Sequence, residues 1–273
     1  MDIITLNTHS WIEEKPLEKL KQIASYIKEE KIDIVCLQEI NQSIQAKKSN
    51  HPRFCQTAQQ PPLKEDNFSL LLIRLLEEMG EYYYFSWHPS HIGYDRFDEG
   101  NAILSKSPIE AKAHLVSKSH DYKSYKTRTI ITGEITYKNK KIQISSCHFS
   151  WWKDGFKEEW SKLIKSTKTD HTQLFLGDFN NDANITKQGY EFVLSSSPQL
   201  KDLFSAALQV VGEFTVEKAI DGWEKNSESL RIDFGFGNKG IDVLQAKVIF
   251  DGKKTPIVSD HFGLHFKISE DSL

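Results

Sequence analysis

The stretch Ile32-Asp33-Ile34-Val35-Cys36-Leu37-Gln38-Glu39 decides how the first part of the chain folds. Its first six residues form a dense apolar run, which is typical of a buried strand, and the run stops at two polar side chains. A short apolar strand over residues 3–6 precedes it, and Pro16 opens a helical pattern between the two. The apolar positions of that helix are Leu17, Leu20, Ile23, Ala24 and Ile27. The order strand, helix, strand predicts a crossover unit.

The rest of the chain shows many short strands and few helices. We expect helices over residues 68–79, 155–168 and 189–194, and strands over residues 82–87, 101–105, 127–137, 140–149, 174–177, 230–236, 243–250 and 262–268. Residues 41–67 and 88–99 are expected to be loops. Helices that fall between strand pairs predict an α/β (α+β) protein, with two sheets packed face to face and helices outside. No break in composition marks a linker, so we expect a single catalytic domain over residues 1–273.

Charge and cysteine content narrow the function classes. The chain has 35 Lys and Arg against 38 Asp and Glu, a formal net charge of −3. Proteins that bind long nucleic acids usually present a basic surface, so nucleic acid is a disfavoured partner. The three cysteines fit neither a disulfide framework nor a zinc site, and Cys36 and Cys147 are expected to be small buried hydrophobes. Without a visible signal peptide or membrane span, we expect a cytoplasmic protein with no membrane partner.

Polar side chains recur where the apolar strands stop. They are Asn7, Gln38-Glu39, His148, Asp178 with Asn180, Asp233, and Asp260-His261. Taken singly, each has an ordinary structural explanation, such as an Asx turn at Asp178 or a hydrogen-bonded core histidine at His148. Six such strand ends are better explained as one site gathered at one edge of the sheets.

The residue types of this set indicate metal-assisted phosphoester chemistry. Carboxylate and amide oxygens are the hard ligands that Mg²⁺ prefers, with Mn²⁺ as an alternative. They come from Glu39, Asp178, Asp260, Asn7 and Asn180. Zinc is less favoured, because the histidines are scattered and accompanied by acids. A metal ion with two carboxylate-backed imidazoles fits in-line attack of water on a phosphoryl group.

Six motifs in this order resemble the endonuclease/exonuclease/phosphatase superfamily, the family of DNase I, abasic-site endonucleases, neutral sphingomyelinases and inositol-polyphosphate phosphatases. The motifs are Gln38-Glu39, Glu99-Gly100-Asn101-Ala102-Ile103-Leu104-Ser105, Ser146-Cys147-His148, Gly177-Asp178-Phe179-Asn180, Arg231-Ile232-Asp233 and Ser259-Asp260-His261. They span essentially the whole chain. The resemblance implies a DNase I-like four-layer α/β/β/α sandwich, in which two packed mixed sheets are flanked by helices.

The resemblance also implies roles for the residues around the metal ion and the attacking water. Glu39 would be the principal metal ligand, with Asn7 and Asp260 close to the metal. His261, backed by Asp233, would act with Asp178 to position and deprotonate the water.

Further roles implied by the resemblance concern the phosphate. His148, held by Glu99, would bind the phosphoryl oxygens and stabilise the transition state, and Asn180 would donate to a phosphate oxygen. Arg128 would contact phosphate or anchor a loop. Several family nucleases have an Asp two residues after the first Asn, where this chain has His9, and this departure favours one metal ion over two.

Three tryptophans, Trp151, Trp152 and Trp223, lie near the motifs and bear on the substrate. They either cover edges of the core or stack on a sugar face or a base. Short segments around them also resemble a bacterial group within the superfamily that includes maltose 6'-phosphate phosphatases. We therefore expect a Mg²⁺-dependent phosphatase acting on a small phosphorylated substrate, a sugar phosphate. The alternative is a nuclease or another phosphodiesterase, including a sphingomyelinase-like enzyme.

Overall fold

The computed structural model describes residues 1–167 and 170–273, and this part of the chain contains thirteen strands and four α-helices. The strands are β1 (Asp2–Asn7), β2 (Ile34–Ser43), β3 (Tyr84–Gly93), β4 (Phe97–Ser105), β5 (Glu110–Leu115), β6 (Thr129–Tyr137), β7 (Lys140–His148), β8 (Thr172–Asp178), β9 (Leu200–Asp202), β10 (Gln209–Val211), β11 (Asp233–Asn238), β12 (Val243–Ile249) and β13 (Gly263–Ile268). The helices are α1 (Pro16–Glu29), α2 (Phe68–Glu78), α3 (Phe156–Ser166) and α4 (Gly189–Ser196).

Two mixed sheets form the centre of the molecule, with strand orders β10-β12-β13-β1-β2-β4-β3 and β5-β6-β7-β8-β11-β9. Alternate residues of β2 show how the two sheets pack against each other and against the helices. Ile34 and Cys36 belong to the apolar core between the sheets, whereas Val35 and Leu37 pack with residues of α1 and α2. Helices α3 and α4 cover the outer face of the second sheet. The predicted four-layer α/β/β/α sandwich is therefore confirmed, and burial on both faces explains the unbroken apolar run of β2.

Two parallel strand pairs set the position of the polar strand ends. The predicted crossover is confirmed, because β1 and β2 pair in parallel across α1. Strands β7 and β8 pair in parallel in the other sheet, with His148 opposite Asp178. The carboxyl ends of β1, β7 and β8 meet Glu39 of β2 at one edge of the sandwich, because Asn7 at the end of β1 contacts both Glu39 and Asp178 at the end of β8.

Some local predictions were wrong. Most of residues 88–99 is not a loop but the hairpin of β3 and β4, which pairs through backbone groups despite its polar side chains and takes up Pro89 beside a bulge. The short strands β5, β9 and β10 were not predicted. Helix α3 lies within the predicted range 155–168, of which residue 168 lies outside the described residues. Cys36 and Cys147 are buried free thiols, as expected. No helix in the described parts of the chain is long and apolar enough to cross a membrane.

Candidate active site

A cleft of about 770 Å³ opens at the edge where β1, β7 and β8 end and β2 carries Glu39. We call one group of residues the floor: Glu39, His148, Asp178 and His261, which line the cleft, and Asp233, which contacts His261 behind it. His148 and Asp178 are the last residues of β7 and β8, and Asp233 is the first residue of β11, in register with Asp178. Strand register therefore brings together residues that are far apart in the chain.

Glu39 reaches the site through a bulge in β2. The register with β4 shifts between Leu37 and Ile40, and Glu39 has a φ of +53°, which is uncommon for a residue with a side chain. Asn7 fixes the carboxylate, because its Nδ2 donates to Glu39 Oε1 at 2.8 Å and to Asp178 Oδ2 at 3.1 Å. Asn7 thus lies between the two acids.

Two histidines flank Asp178. His261 Nδ1 lies 2.9 Å from Asp233 Oδ2, and His261 Nε2 lies 3.8 Å from Asp178 Oδ2. On the other side, His148 Nε2 lies 3.6 Å from the same Asp178 oxygen. The predicted pairing of His261 with Asp233 and its nearness to Asp178 are both present in the structure.

Burial acts on the pKa values of four floor residues, which are Glu39, His148, Asp178 and His261. It raises the pKa of Glu39 to about 8, with a further contribution from the charge of Glu99, and raises that of Asp178 to about 7, with Asp233 adding to the effect. Burial opposes a charge on His261 as well. There the carboxylates of Asp233 and Asp178 prevail, and the pKa of His261 lies well above its ordinary value.

The imidazole of His148 behaves in the opposite way from that of His261. Burial and the positive charge of Arg128 hold the pKa of His148 well below its usual range, so its ring is neutral. Glu39, His148 and Asp178 each offer a ligand atom, and these atoms lie within 4.8 Å of one another. The pKa values of the two buried carboxyls stay raised despite the nearby charges of His261 and His9, and a divalent cation would stabilise both carboxylates. The donor set therefore fits a Mg²⁺ or Mn²⁺ ion.

Asp260 lies beside this set in a second cluster with His9 and Glu13. His9 Nδ1 is 2.8 Å from Glu13 Oε1 and 3.8 Å from Asp260 Oδ1. Burial opposes a charge on His9, but the Glu13 hydrogen bond and the charges of Glu39 and Asp260 raise the pKa of His9 to about 9. Glu13 also pairs with Lys19. Protein cations thus already neutralise the acids of this second cluster.

The predicted contact of Glu99 with His148 is corrected by the structure. Glu99 Oε1 lies 3.3 Å from His91 Nε2, whereas the carboxylate next to His148 is that of Asp178. The bulge of β3 places His91 opposite Glu99, and His91 Nδ1 donates to the Thr127 carbonyl at 3.2 Å. His91 was missed from the sequence because it carries no motif and lies in a predicted loop. Only strand register identifies it.

Arg128 lines the pocket and is only 4% exposed. Its Nε has no hydrogen-bond partner among the described residues. A buried guanidinium with an unpaired donor is costly unless an anion completes it, and a phosphoryl group is a well-matched anion.

The upper walls of the pocket are aromatic. Trp151, Trp152 and Trp223 all line it, as does Tyr94, which the sequence did not single out. Trp152 also packs on Phe192, with ring centroids 5.5 Å apart. The expectation that the tryptophans cover core edges therefore holds in part for Trp152, although all three face the pocket.

Asn180 joins the walls to the floor. Its backbone N donates to Asp178 Oδ1 at 2.7 Å, its Nδ2 donates to the Phe149 carbonyl at 3.0 Å, and its Oδ1 accepts from Trp223 Nε1 at 3.2 Å. One hydrogen of the Nδ2 amide is left for a ligand.

The sandwich fold and the strand-end site together define a class, the DNase I-like phosphoester hydrolases. Within that class, the chain belongs to the Endonuclease/Exonuclease/phosphatase family, whose pattern matches residues 13–261. The superfamily predicted from the sequence motifs is confirmed by this match.

Solved structures resemble the whole chain. An endonuclease/exonuclease/phosphatase family protein from Leptotrichia buccalis C-1013-b shares 30% identity at a TM-score of 0.87, over 98% of this chain and 99% of that one. The fold is also that of a mannosyl-6-phosphatase from Bacteroides thetaiotaomicron VPI-5482, with 15% identity, a TM-score of 0.66 and coverage of 98% and 99%. Truncated TDP2 of Caenorhabditis elegans is similar at 16% identity, a TM-score of 0.62 and coverage of 97% and 96%. No curated protein matches the sequence significantly.

Proposed function

We propose that the protein is a Mg²⁺-dependent phosphatase that removes the phosphate from a phosphorylated sugar. The charge of the pocket carries this proposal. Among the described residues that line it, seven are acidic and only two, Arg128 and Lys153, are permanently cationic. A polynucleotide needs cations along its track to neutralise successive phosphates, whereas one buried cation suits a single phosphate. Rim acids and tryptophans offer acceptors for sugar hydroxyls and flat faces for sugar C–H groups.

Glu39 and Asp178 would hold the metal ion, with Asn7 fixing their orientation and Asp260 nearby. When bound, the ion supplies positive charge that polarises the phosphoryl group and offsets the charge that develops during the reaction. Because the neighbouring acids are buried, the same charge keeps Glu39 and Asp178 ionised near neutral pH.

The protein side chains then account for the proton transfers. Water attacks phosphorus in line with the ester oxygen, a new O–P bond forms and the P–O ester bond breaks. Asp178, adjacent to His261, accepts a proton from the water and releases it to solvent, and the departing alkoxide takes up a proton from solvent to leave as the sugar hydroxyl. Asp233 holds the His261 ring in place through Nδ1.

Three groups bind the phosphoryl oxygens in this proposal. Arg128 contributes its unpaired Nε–H, Asn180 its free amide hydrogen, and His148 its neutral ring. The shared fold of the Bacteroides mannosyl-6-phosphatase and the resemblance to maltose 6'-phosphate phosphatases support a sugar as the leaving group.

A phosphate-release screen tests the proposal directly. Purified protein is incubated with Mg²⁺, Mn²⁺ or EDTA and with mono- and disaccharide phosphates, short oligonucleotides and plasmid DNA. We expect inorganic phosphate from a sugar phosphate, dependence on the divalent ion, and intact DNA. Cleavage of DNA without release from any sugar phosphate would instead assign the site to the nuclease alternative.

A further inference from the structure

A short segment of the loop before β11, Asp221-Gly222-Trp223, crosses the mouth of the pocket, and we call it the roof. All three residues line the pocket. Each is anchored to a different part of the protein: Asp221 to the β3–β4 turn, Gly222 to Trp151, and Trp223 to Asn180. The roof therefore connects the hairpin of one sheet with the strand ends of the other.

The anchor at Asp221 is a tyrosine held on a tight turn. Tyr94 and Asp95 have φ values of +50° and +56°, and Arg96 N donates to the Gly93 carbonyl at 3.2 Å, as in a type I′ hairpin turn. Tyr94 Oη donates to Asp221 Oδ2 at 2.5 Å. Because this uses the only hydroxyl proton, His9 Nε2, at 3.2 Å, is the donor to the same oxygen.

The anchor at Gly222 depends on the absence of a side chain. A Cβ at this position would lie 2.5 Å from Trp151 Cζ2, and the φ of +77° is itself unfavourable for other residues. The roof backbone thus lies directly on the indole ring of Trp151.

The anchor at Trp223 brings the roof down to the floor. Its Nε1 donates to Asn180 Oδ1, and the backbone N of Asn180 donates to Asp178. The roof thus contacts the β3–β4 turn through Asp221 and the residue next to Asp178 through Trp223, so it spans the pocket between the two sheets.

We propose that the roof makes the site selective for phosphomonoesters, because it leaves room for a substituent on only one ester oxygen. A diester carries a second substituent, which would have to pass where Tyr94 and Asp221 close the cleft. This inference deepens the proposed function and rests on it for the reaction at the floor, but it does not depend on the leaving group being a sugar.

The test compares kcat/KM for 4-nitrophenyl phosphate and for bis(4-nitrophenyl) phosphate with Mg²⁺. We expect wild type to prefer the monoester. Tyr94→Phe and Asp221→Ala each remove the Tyr94–Asp221 hydrogen bond, which we call the clasp, and each should shift the ratio towards the diester by roughly tenfold. Asp221→Asn keeps an acceptor for the Tyr94 hydroxyl and should shift it much less. Tyr122→Phe is the matched control, because its hydroxyl donates to Asp98 Oδ1 at 2.8 Å outside the pocket.

The outcomes separate this inference from the proposed function. A wild-type preference for the diester overturns it, as does an unchanged ratio in folded Tyr94→Phe and Asp221→Ala. An equal shift in Asp221→Asn and Asp221→Ala also overturns it, because charge rather than closure would then explain selectivity. If no sugar phosphate is hydrolysed but the monoester ratio falls in the clasp variants, the sugar assignment fails and the roof assignment stands.

Discussion

The floor and the roof line the same pocket but are built differently. Floor residues lie at or next to strand ends or, for Glu39, at a bulge inside a strand, and Asp178, Asp233 and His261 are at most 3% exposed. The roof lies on a loop, Asp221 is exposed, and its partner Tyr94 is 43% exposed on a hairpin turn. Backbone pairing holds the floor, whereas single side-chain contacts hold the roof.

This difference suggests that the floor and the roof have different functions. Proton transfer needs fixed separations between the floor side chains and the water. Strand register fixes the backbone positions of these side chains and so provides that rigidity. The roof needs only to limit what reaches the floor, and a loop can do so with a few contacts. We therefore expect floor substitutions to abolish turnover, and roof substitutions to change selectivity or reduce turnover slightly.

The largest effect is expected from His261→Ala. Loss of the imidazole beside Asp178 should lower kcat by roughly 10²–10⁴-fold, because the attacking water loses its positioning group. His265→Gln is the matched control, since His265 is also buried against an acid, with Nε2 3.0 Å from Asp2 Oδ1, but lies outside the pocket. Steady-state kinetics with Mg²⁺ checks this. Equal kcat in wild type and His261→Ala would remove His261 from the mechanism.

The next effect concerns the phosphate contact at Arg128. Arg128→Met should lower kcat/KM roughly 10- to 100-fold, as expected for loss of a charged hydrogen bond, and Arg128→Lys should recover part of the loss. Arg53→Met serves as control, because Arg53 pairs with Glu77 at 2.7 Å away from the site. If Arg128→Met binds substrate as well as wild type, the guanidinium does not contact phosphate.

A smaller effect is expected where the roof meets the floor. Trp223→Phe keeps a ring but loses the indole N–H that holds Asn180, so kcat/KM should fall roughly threefold to tenfold for every substrate. Trp11→Phe provides the matched control: it removes an indole N–H that donates to the Asp66 carbonyl at 2.9 Å elsewhere. A drop confined to one substrate would mean that Trp223 contacts that substrate rather than Asn180.

The smallest effect on turnover comes from a histidine outside both regions, His88, which has no carboxylate partner within residues 1–167 and 170–273 and instead contacts the Thr57 hydroxyl. Burial lowers the pKa of His88 to about 4, so between pH 6.5 and 4 the unfolded chain binds its proton first and stability falls as pH falls. The loss reaches at most about 3 kcal/mol. Chemical denaturation across this range should show that loss relative to His88→Gln, with kcat near pH 7 unchanged. Parallel stability curves for the two proteins would contradict it.

Prediction from sequence succeeded where the signal is local. The apolar run before Glu39 and the polar residues at six strand ends identified the sandwich and the floor, because a strand buried on both faces has a composition of its own. The hairpin of β3 and β4 was missed, because its side chains are largely polar and lack the apolar pattern from which strands are predicted, although the backbones pair. His91 and Tyr94 were missed with it.

The sequence by itself determined the two-sheet architecture and the family, and it identified the acids and imidazoles that the structure brings together at one site. Only the tertiary structure decided that Glu99 pairs with His91, that Asn7 bridges Glu39 and Asp178, and that Tyr94 meets Asp221 across 127 residues of chain. The physical reason is that residue types and short motifs can be read from neighbouring positions in the sequence. These contacts instead depend on strand register and on how two loops fold over the same edge.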